Sequence, residues 1–309
     1  MPRPTDPLPF GDRLAAAVDA IGAPIAVGID PHLPQLPAPL RARFEGLRGL
    51  EHRIAAADAV SDWGQAVVRA VVGRCAAVKV QSAFFEQLGW PGLRALEAVV
   101  AEAKSLGLLV ILDAKRGDID TTAAAYATAA LDPAGPVGAD AVTVSPWMGL
   151  DTLAPFTDRC AAHGGGLFVL ARTSNPGSAF FQAEGGAAAR LAAALEGLAV
   201  GPLQGARLHS LGLVVGAQIP VPEVHALREA APGAWFLVPG VGAQGGSFAS
   251  SQVGARPDGS GCLAAVSRAV LFPAKGAPDD GEAYGAATAA RAEALLQAAR
   301  AELRGSRPL

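Results

Sequence analysis

Charge, sulfur and aromatic rings are scarce in this 309-residue chain, and each shortage excludes something. Only 17% of the residues are charged, and 25 Lys and Arg against 28 Asp and Glu give 25 − 28 = −3. The pI is about 6.0 and no run of five or six like charges occurs. Nothing is therefore available to neutralise the phosphates of a nucleic acid or an acidic membrane surface. Hydrophobic residues make up 51% of the chain and the mean hydropathy is +0.31. Even so, no apolar stretch reaches the roughly 18 residues needed to cross a bilayer. The first residues, MPRPTDPLPFGDRL, lack the continuous apolar core of an export signal, so the expected location is cytoplasmic. Cys75, Cys160 and Cys262 are few, odd in number and far apart, which fits buried thiols in a reducing compartment. His32, His52, His163, His209 and His225 are equally dispersed, with no HExxH and no CxxC, so no metal site is expected.

What is present is a repeat of short apolar runs separated by helical patterns. Eight runs occur, at 25–30, 76–80, 108–113, 139–144, 167–171, 211–216, 235–239 and 262–266. Continuous apolar character over such lengths is the mark of strands buried on both faces, as in a parallel sheet. Between the second and third runs, PGLRALEAVVAEAKSLG places Leu93, Leu96, Val100, Ala103 and Leu106 on one stripe, with Pro91 near its start and Gly107 just past its end. Asp120, Thr121 and Thr122 offer capping oxygens to an Ala-rich helix, and segments 187–198 and 286–303 supply further helices. Eight strands alternating with helices close most simply into a single-domain α/β fold, a (β/α)8 TIM barrel spanning residues 1–309. A doubly wound open sheet is the alternative, but the G-x-G-x-x-G turn it normally carries after its first strand is absent here. Two segments exceed ordinary connections: a Pro-rich stretch beginning PHLPQLPAPL within about 31–60, and the Gly- and Ser-rich 245–261, a candidate lid.

Where charge is rare, a charge at the end of an apolar strand needs a reason, and barrel enzymes keep their chemistry at those ends. Asp30 ends the first run, Lys79 lies inside the second, and the third ends in Asp113-Ala114-Lys115-Arg116-Gly117-Asp118. Residues two apart on a strand share a face, so Asp113 and Lys115 are expected at the barrel mouth beside Asp30 and Lys79, as alternating charges. A solvated surface pair would account for Asp113 and Lys115 alone. It would not account for Lys79, whose ammonium among Ala76, Ala77, Val78 and Val80 needs a carboxylate or a water-filled mouth. Further along, the loop Gly240-Val241-Gly242-Ala243-Gln244-Gly245-Gly246 and the pair Ser267-Arg268 follow the seventh and eighth runs. Loops at those positions often bind phosphate, through backbone N–H groups that small residues leave accessible and through a basic side chain. Thr173-Ser174-Asn175-Pro176-Gly177, after the fifth run, offers hydroxyl and amide groups or is simply an Asn-Pro turn.

These residues resemble the orotidine 5′-monophosphate decarboxylase family, in its longer bacterial branch. The most specific element is ILDAKRGDI, the D-x-K-x-x-D-I pattern at Asp113, Lys115 and Asp118; VKVQSAFFE around Lys79, RTSNPGS around Ser174 and PGVGAQGG around Gln244 follow in the family's order. The resemblance implies a homodimeric barrel converting orotidine 5′-monophosphate (OMP) to UMP and CO2, the last step of pyrimidine nucleotide synthesis, without metal or cofactor. It implies that Asp30 and Lys79 hold ribose hydroxyls, that Asp113 lies against the substrate carboxylate and that Lys115 protonates C6. Asp118, with Thr122 beside it, would reach into the partner's site, Ser174 would contact the pyrimidine edge, and Gln244 and Arg268 would grip the phosphate. Asp120 and Ser267 depart from the family pattern, standing where relatives often have Gly or Pro and Gly respectively. A related barrel lyase that acts on an acyclic sugar phosphate with a divalent ion shares D-x-K-x-x-D, and a non-catalytic nucleotide-binding barrel would share the fold.

Overall fold

A computed structural model describes residues 8–242 and 245–305. Among these, eight parallel strands, each hydrogen-bonded to its neighbours in sequence order, close into a barrel. They are β1 (Ile25–Ile29), β2 (Ala77–Gln81), β3 (Leu109–Arg116), β4 (Ala141–Val144), β5 (Gly166–Arg172), β6 (Leu211–Val215), β7 (Trp235–Pro239) and β8 (Cys262–Val266). The last two coincide with the expected runs and the others differ by a few residues at their ends. The largest difference is at β3, which continues through Lys115 to Arg116 although the expected run ends at Asp113.

The pleat sorts each strand into two cores. Val27, Val78, Val110, Val142 and Val169 point outward and pack beneath the surrounding helices. Ala26, Ala77, Ile111, Ala141, Phe168, Leu237 and Leu263 point inward and fill the barrel. Continuous apolar runs follow from this arrangement, since both faces of every strand are buried.

The helix Trp90–Ser105 carries Pro in its first turn and is followed by Gly107 at φ +77°, as expected. Its buried face is displaced from the expected stripe. Ala95, Leu96, Val99, Val100 and Ala103 are buried against the neighbouring helix Gly49–Val71 and the barrel, whereas Leu93 and Leu106 are exposed at the two margins. The Ala-rich helix Asp120–Leu131 forms, but Ile119 is its N-cap and no side chain caps it. The expected oxygens are displaced because Asp120 itself takes φ +45°, a conformation that Asp tolerates better than most residues and Gly adopts readily. The Pro-rich stretch is shorter than expected: a 3₁₀ turn at Leu33–Gln35 and a single helical turn at Ala38–Arg41 lead to the long helix Gly49–Val71. The segment 245–261 contains a helical turn, Phe248–Ser251, whose start is capped by Ser247 Oγ accepting from Ser250 N.

One element has no counterpart among the expected ones. The helix Phe10–Ile21 closes the N-terminal end of the barrel. Phe10 sits edge-on to Phe168, with ring centroids 6.0 Å apart, and Trp235 donates its indole N–H to Gly11 O at 3.1 Å. The fit requires glycine at the start of β5, because a β-carbon on Gly166 would stand 2.2 Å from the Phe10 ring. No helix among the described residues is long and apolar enough to cross a membrane.

Candidate active site

The opposite, C-terminal end of the barrel holds a cavity of about 550 Å³ into which Asp30, Lys79, Asp113, Lys115, Ser174 and Arg268 all project lining atoms. That volume suits a small-molecule site. The inward phase of the pleat accounts for the first four: Lys79 follows Ala77 on the inner face of β2, and Asp113 follows Ile111 on that of β3.

Their charges alternate in space. Asp113 receives Lys79 Nζ on Oδ2 at 2.7 Å and Lys115 Nζ on Oδ1 at 2.5 Å, and Lys79 Nζ stands 4.0 Å from Asp30 Oδ1. Gln81 Nε2 also donates to Asp113 Oδ2 at 3.1 Å. Lys79 and Asp113 are each only 5% exposed. Burial alone would raise the pKa of Asp113, but the ammonium groups of Lys79 and Lys115 outweigh it and hold the carboxyl well below the usual range. Burial likewise works against charge on Lys79, and Asp113 and Asp30 overcome it, so its pKa lies above the ordinary lysine value. The site thus sets an ionised Asp113 between the side chains of Lys79 and Lys115, with Asp30 beyond. Asp30 Oδ1 is buried and accepts no hydrogen bond among the described residues, which leaves an acceptor at the cavity wall.

Lys115 has φ +47°, costly for a side-chain-bearing residue by on the order of 1–2 kcal/mol. It belongs to a bulge: Leu112 pairs with Val142 and Arg116 with Val144, so Asp113, Ala114 and Lys115 lie opposite Thr143 alone. Beyond the bulge, Arg116 forms an ion pair with Glu86, which also accepts from Ser82 Oγ, and its guanidinium lies over the Tyr126 ring.

Facing the charged wall, the loop after β5 is rigidly held. Arg172, 7% exposed, donates from Nε to Glu223 Oε2 at 2.8 Å and from a terminal nitrogen to Ser178 Oγ at 2.7 Å. Thr173 N donates to Gln182 Oε1 at 2.7 Å. This frame presents Thr173, Ser174 and Asn175 to the cavity. At the third side, Ser267 and Arg268 start the turn Arg268–Leu271 at the end of β8. Ser267 lies across β1, and a β-carbon on Gly28 would come within 1.9 Å of its Oγ. In the glycine loop after β7, Gly242 N and Gly246 N donate to Gly246 O and Gly240 O, so those two N–H groups serve the loop itself.

Asp118 and Thr122 do not line this cavity; Asp118 accepts from Ile119 N at 2.8 Å and Thr122 is exposed on the outer helix. Gln244 lies outside the described residues. Sequence reasoning missed Gln81, Thr143 and Gln218, which line or brace the cavity, whereas Thr173 and Asn175 belong to the segment it singled out around Ser174. Only Gln81 carried a usable signal, two residues beyond Lys79 on the same strand face. Among the described residues no group of three or more His, Cys, Asp or Glu could hold a metal ion.

A model of the orotidine 5′-phosphate decarboxylase / HUMPS family matches residues 54–279. The chain belongs to this family. A decarboxylase of that name from Salinispora arenicola is 44% identical over 299 residues, covering 96% of this chain and 99% of its own. One from Rhodopirellula baltica is 40% identical over 278 residues, covering 86% and 89%. Among solved structures, the OMP decarboxylase of Leishmania donovani superposes with a TM-score of 0.70 at 32% identity, covering 95% of this chain and 99% of that one. The family match takes in every candidate site residue except Asp30, which the longer pairwise matches reach.

Proposed function

We propose that this chain decarboxylates orotidine 5′-monophosphate to UMP and CO2, the closing step of pyrimidine nucleotide synthesis, and that Lys115 delivers the proton. The observation that carries the reading is the Lys79–Asp113–Lys115 array at the C-terminal mouth of the barrel, with Asp30 beside it. Loss of CO2 from C6 leaves an sp² carbanion that the pyrimidine ring cannot delocalise, so the protein must stabilise the charge electrostatically with groups already in place. Lys115 is such a group. Its ammonium is fixed at the cavity wall by Asp113, offers a positive charge to the developing carbanion, and then transfers a proton to C6.

Asp113 is kept ionised by its two lysines, so a substrate carboxylate placed against it meets a negative charge that leaves the interaction when CO2 departs. Asp30 Oδ1, buried without a hydrogen bond among the described residues, accepts from a ribose hydroxyl, and Lys79 donates to the same sugar. Ser174 contacts the pyrimidine edge. Arg268 and Gln244 take the phosphate, whose binding energy, remote from C6, closes the loop 245–261 over the site.

In this reading the enzyme is a cytoplasmic homodimer in which Asp118 and Thr122 complete the partner's site. Three features support it: neither residue lines its own cavity, Gly117 packs on Ser145, and close by Trp147 is exposed and stacks edge-on with Phe181 at 4.7 Å. Exposed apolar rings beside an outward-facing carboxylate suit a buried contact between copies.

The test is the ultraviolet absorbance of OMP over time with purified protein in EDTA. Loss of the orotate chromophore with UMP appearing is the expected result. Unchanged absorbance from folded protein overturns the reading, and activity on a sugar phosphate with magnesium in its place assigns the lyase chemistry instead.

A further inference from the structure

The strand that carries Lys115 cannot hold its shape by the ladder alone. Opposite the single residue Thr143, β3 places Asp113, Ala114 and Lys115, and a bulge of this kind leaves backbone N–H groups without ladder partners. Unmet inside a protein, such groups are costly, so the bulge needs an acceptor from elsewhere.

Thr143 supplies it. Its side chain is 1% exposed, and its Oγ1 accepts from Ala114 N and from Lys115 N, each at 3.0 Å. The same hydroxyl donates to Asp113 Oδ1 at 2.9 Å. A hydroxyl has one proton and two lone pairs, and all three are used here by three consecutive residues of β3. Those are the residues whose conformation sets the site. Lys115 sits at φ +47°, and its Nζ folds back to Asp113 Oδ1, the oxygen that Thr143 also holds.

We propose that Thr143 is a positioning residue for the proton donor: its hydroxyl replaces the missing ladder acceptors, holds Lys115 in the left-handed conformation, and fixes the Asp113 oxygen that orients the ammonium. The proposal rests on the reading of Lys115 as the acid of the decarboxylation. The same geometry explains why a threonine stands in a strand whose other residues, Ala141, Val142 and Val144, are apolar.

The experiment compares Thr143→Val, which keeps the shape and removes the hydroxyl, with Thr143→Ser, which keeps the hydroxyl. With OMP as substrate, Thr143→Val is expected to lower kcat about 100-fold, the scale of an ångström-sized misplacement of a reacting group. KM should change by less than about threefold, since the phosphate and ribose contacts remain. The acid limb of the kcat profile should move to higher pH, because Asp113 loses a hydrogen bond that favours its charged form; a purely structural role would not move it. Thr143→Ser should restore kcat to within about threefold of wild type.

Wild-type kcat in the valine variant, or equal impairment of the serine variant, overturns the proposal. Where the valine variant does not fold, Thr143→Ala against Thr143→Ser gives the same comparison of hydroxyl absent and present. Should the wild-type protein fail to turn over OMP, the functional reading falls by itself. The crystal structure of the hydroxyl-lacking variant then decides the positioning role: Lys115 leaving the left-handed region supports it, and Lys115 retained at positive φ overturns it.

Discussion

The two ends of this barrel are made by the same eight strands and spend their burial in opposite ways. At the N-terminal end, Phe10, Leu14, Phe168 and Trp235 form one apolar cluster, with Phe10 edge-on to Phe168 and the one nearby ion pair, Arg13–Asp140, partly exposed at its rim. At the C-terminal end the inner row continues as Lys79, Asp113 and Thr143, with a bulged strand and a lysine in a conformation that its side chain disfavours. One end accumulates apolar contact and the other accumulates charge and strain. A closed barrel permits this division, because the charged mouth need not contribute stability as long as the sealed end does.

Changes at either end should therefore separate activity from stability. The largest effect is expected for Lys115→Ala. Removing both the electrostatic partner and the acid should lower kcat by about 10⁴-fold or more, with substrate binding and melting temperature little changed. Titration of UMP into the variant, followed calorimetrically, separates binding from turnover. Near-normal turnover would exclude Lys115 as the donor. The counterpart at the sealed end is Phe10→Ala, expected to cost about 3–5 kcal/mol of unfolding free energy for a large buried ring, with kcat per folded molecule unchanged. Urea denaturation measures it, and a parallel fall in kcat would show that the two ends are coupled. A smaller effect is expected for Arg268→Ala. Loss of charge-assisted contacts to the phosphate, worth about 1.5–3 kcal/mol, should raise KM some 10- to 100-fold while kcat falls less. An unchanged KM contradicts the phosphate role.

The division also governs what could be read from the sequence. The strands were legible because burial on both faces makes each a continuous apolar run, and their alternation with helices indicated the barrel. The charges were legible because Lys79 has no business among valines and alanines without a partner. Adjacent turns of one helix are harder: with apolar residues at Leu93, Leu96, Val100 and Leu106, the stripe could be drawn at more than one phase, and packing against Gly49–Val71 chose another. The sealing helix Phe10–Ile21 was hidden behind a Pro-rich approach, and its value lies in contacts with Phe168 and Trp235, more than 150 residues away. Thr143 was invisible for a related reason. A threonine in an apolar strand reads as filler until the three-against-one register of β3 and β4 shows what its hydroxyl meets. Asp118 and Thr122 came from family resemblance, and one chain alone does not bring them into the cavity.

The smallest expected effect sharpens the comparison most, because packing and charge differ in their dependence on pH. Asp113 has a folded pKa below its unfolded value of about 3.9, so its contribution to stability is present above about pH 4 and is lost as pH falls toward the folded value. Lys79 has a folded pKa above its unfolded value of about 10.4, so its contribution is complete below that pH and is lost as pH rises through the folded value. Between these limits the network adds no slope. Urea unfolding measured from about pH 3 to pH 7 should therefore show a shallower acid decline in Asp113→Asn than in wild type, since the variant has no proton to take up there. Phe10→Ala should lower the whole curve and leave its slope alone, because the ring at the sealed end carries no titrating group. If Asp113→Asn instead shifts the curve in parallel, the carboxylate acts through packing, and the charged mouth contributes to stability by the same means as the sealed end.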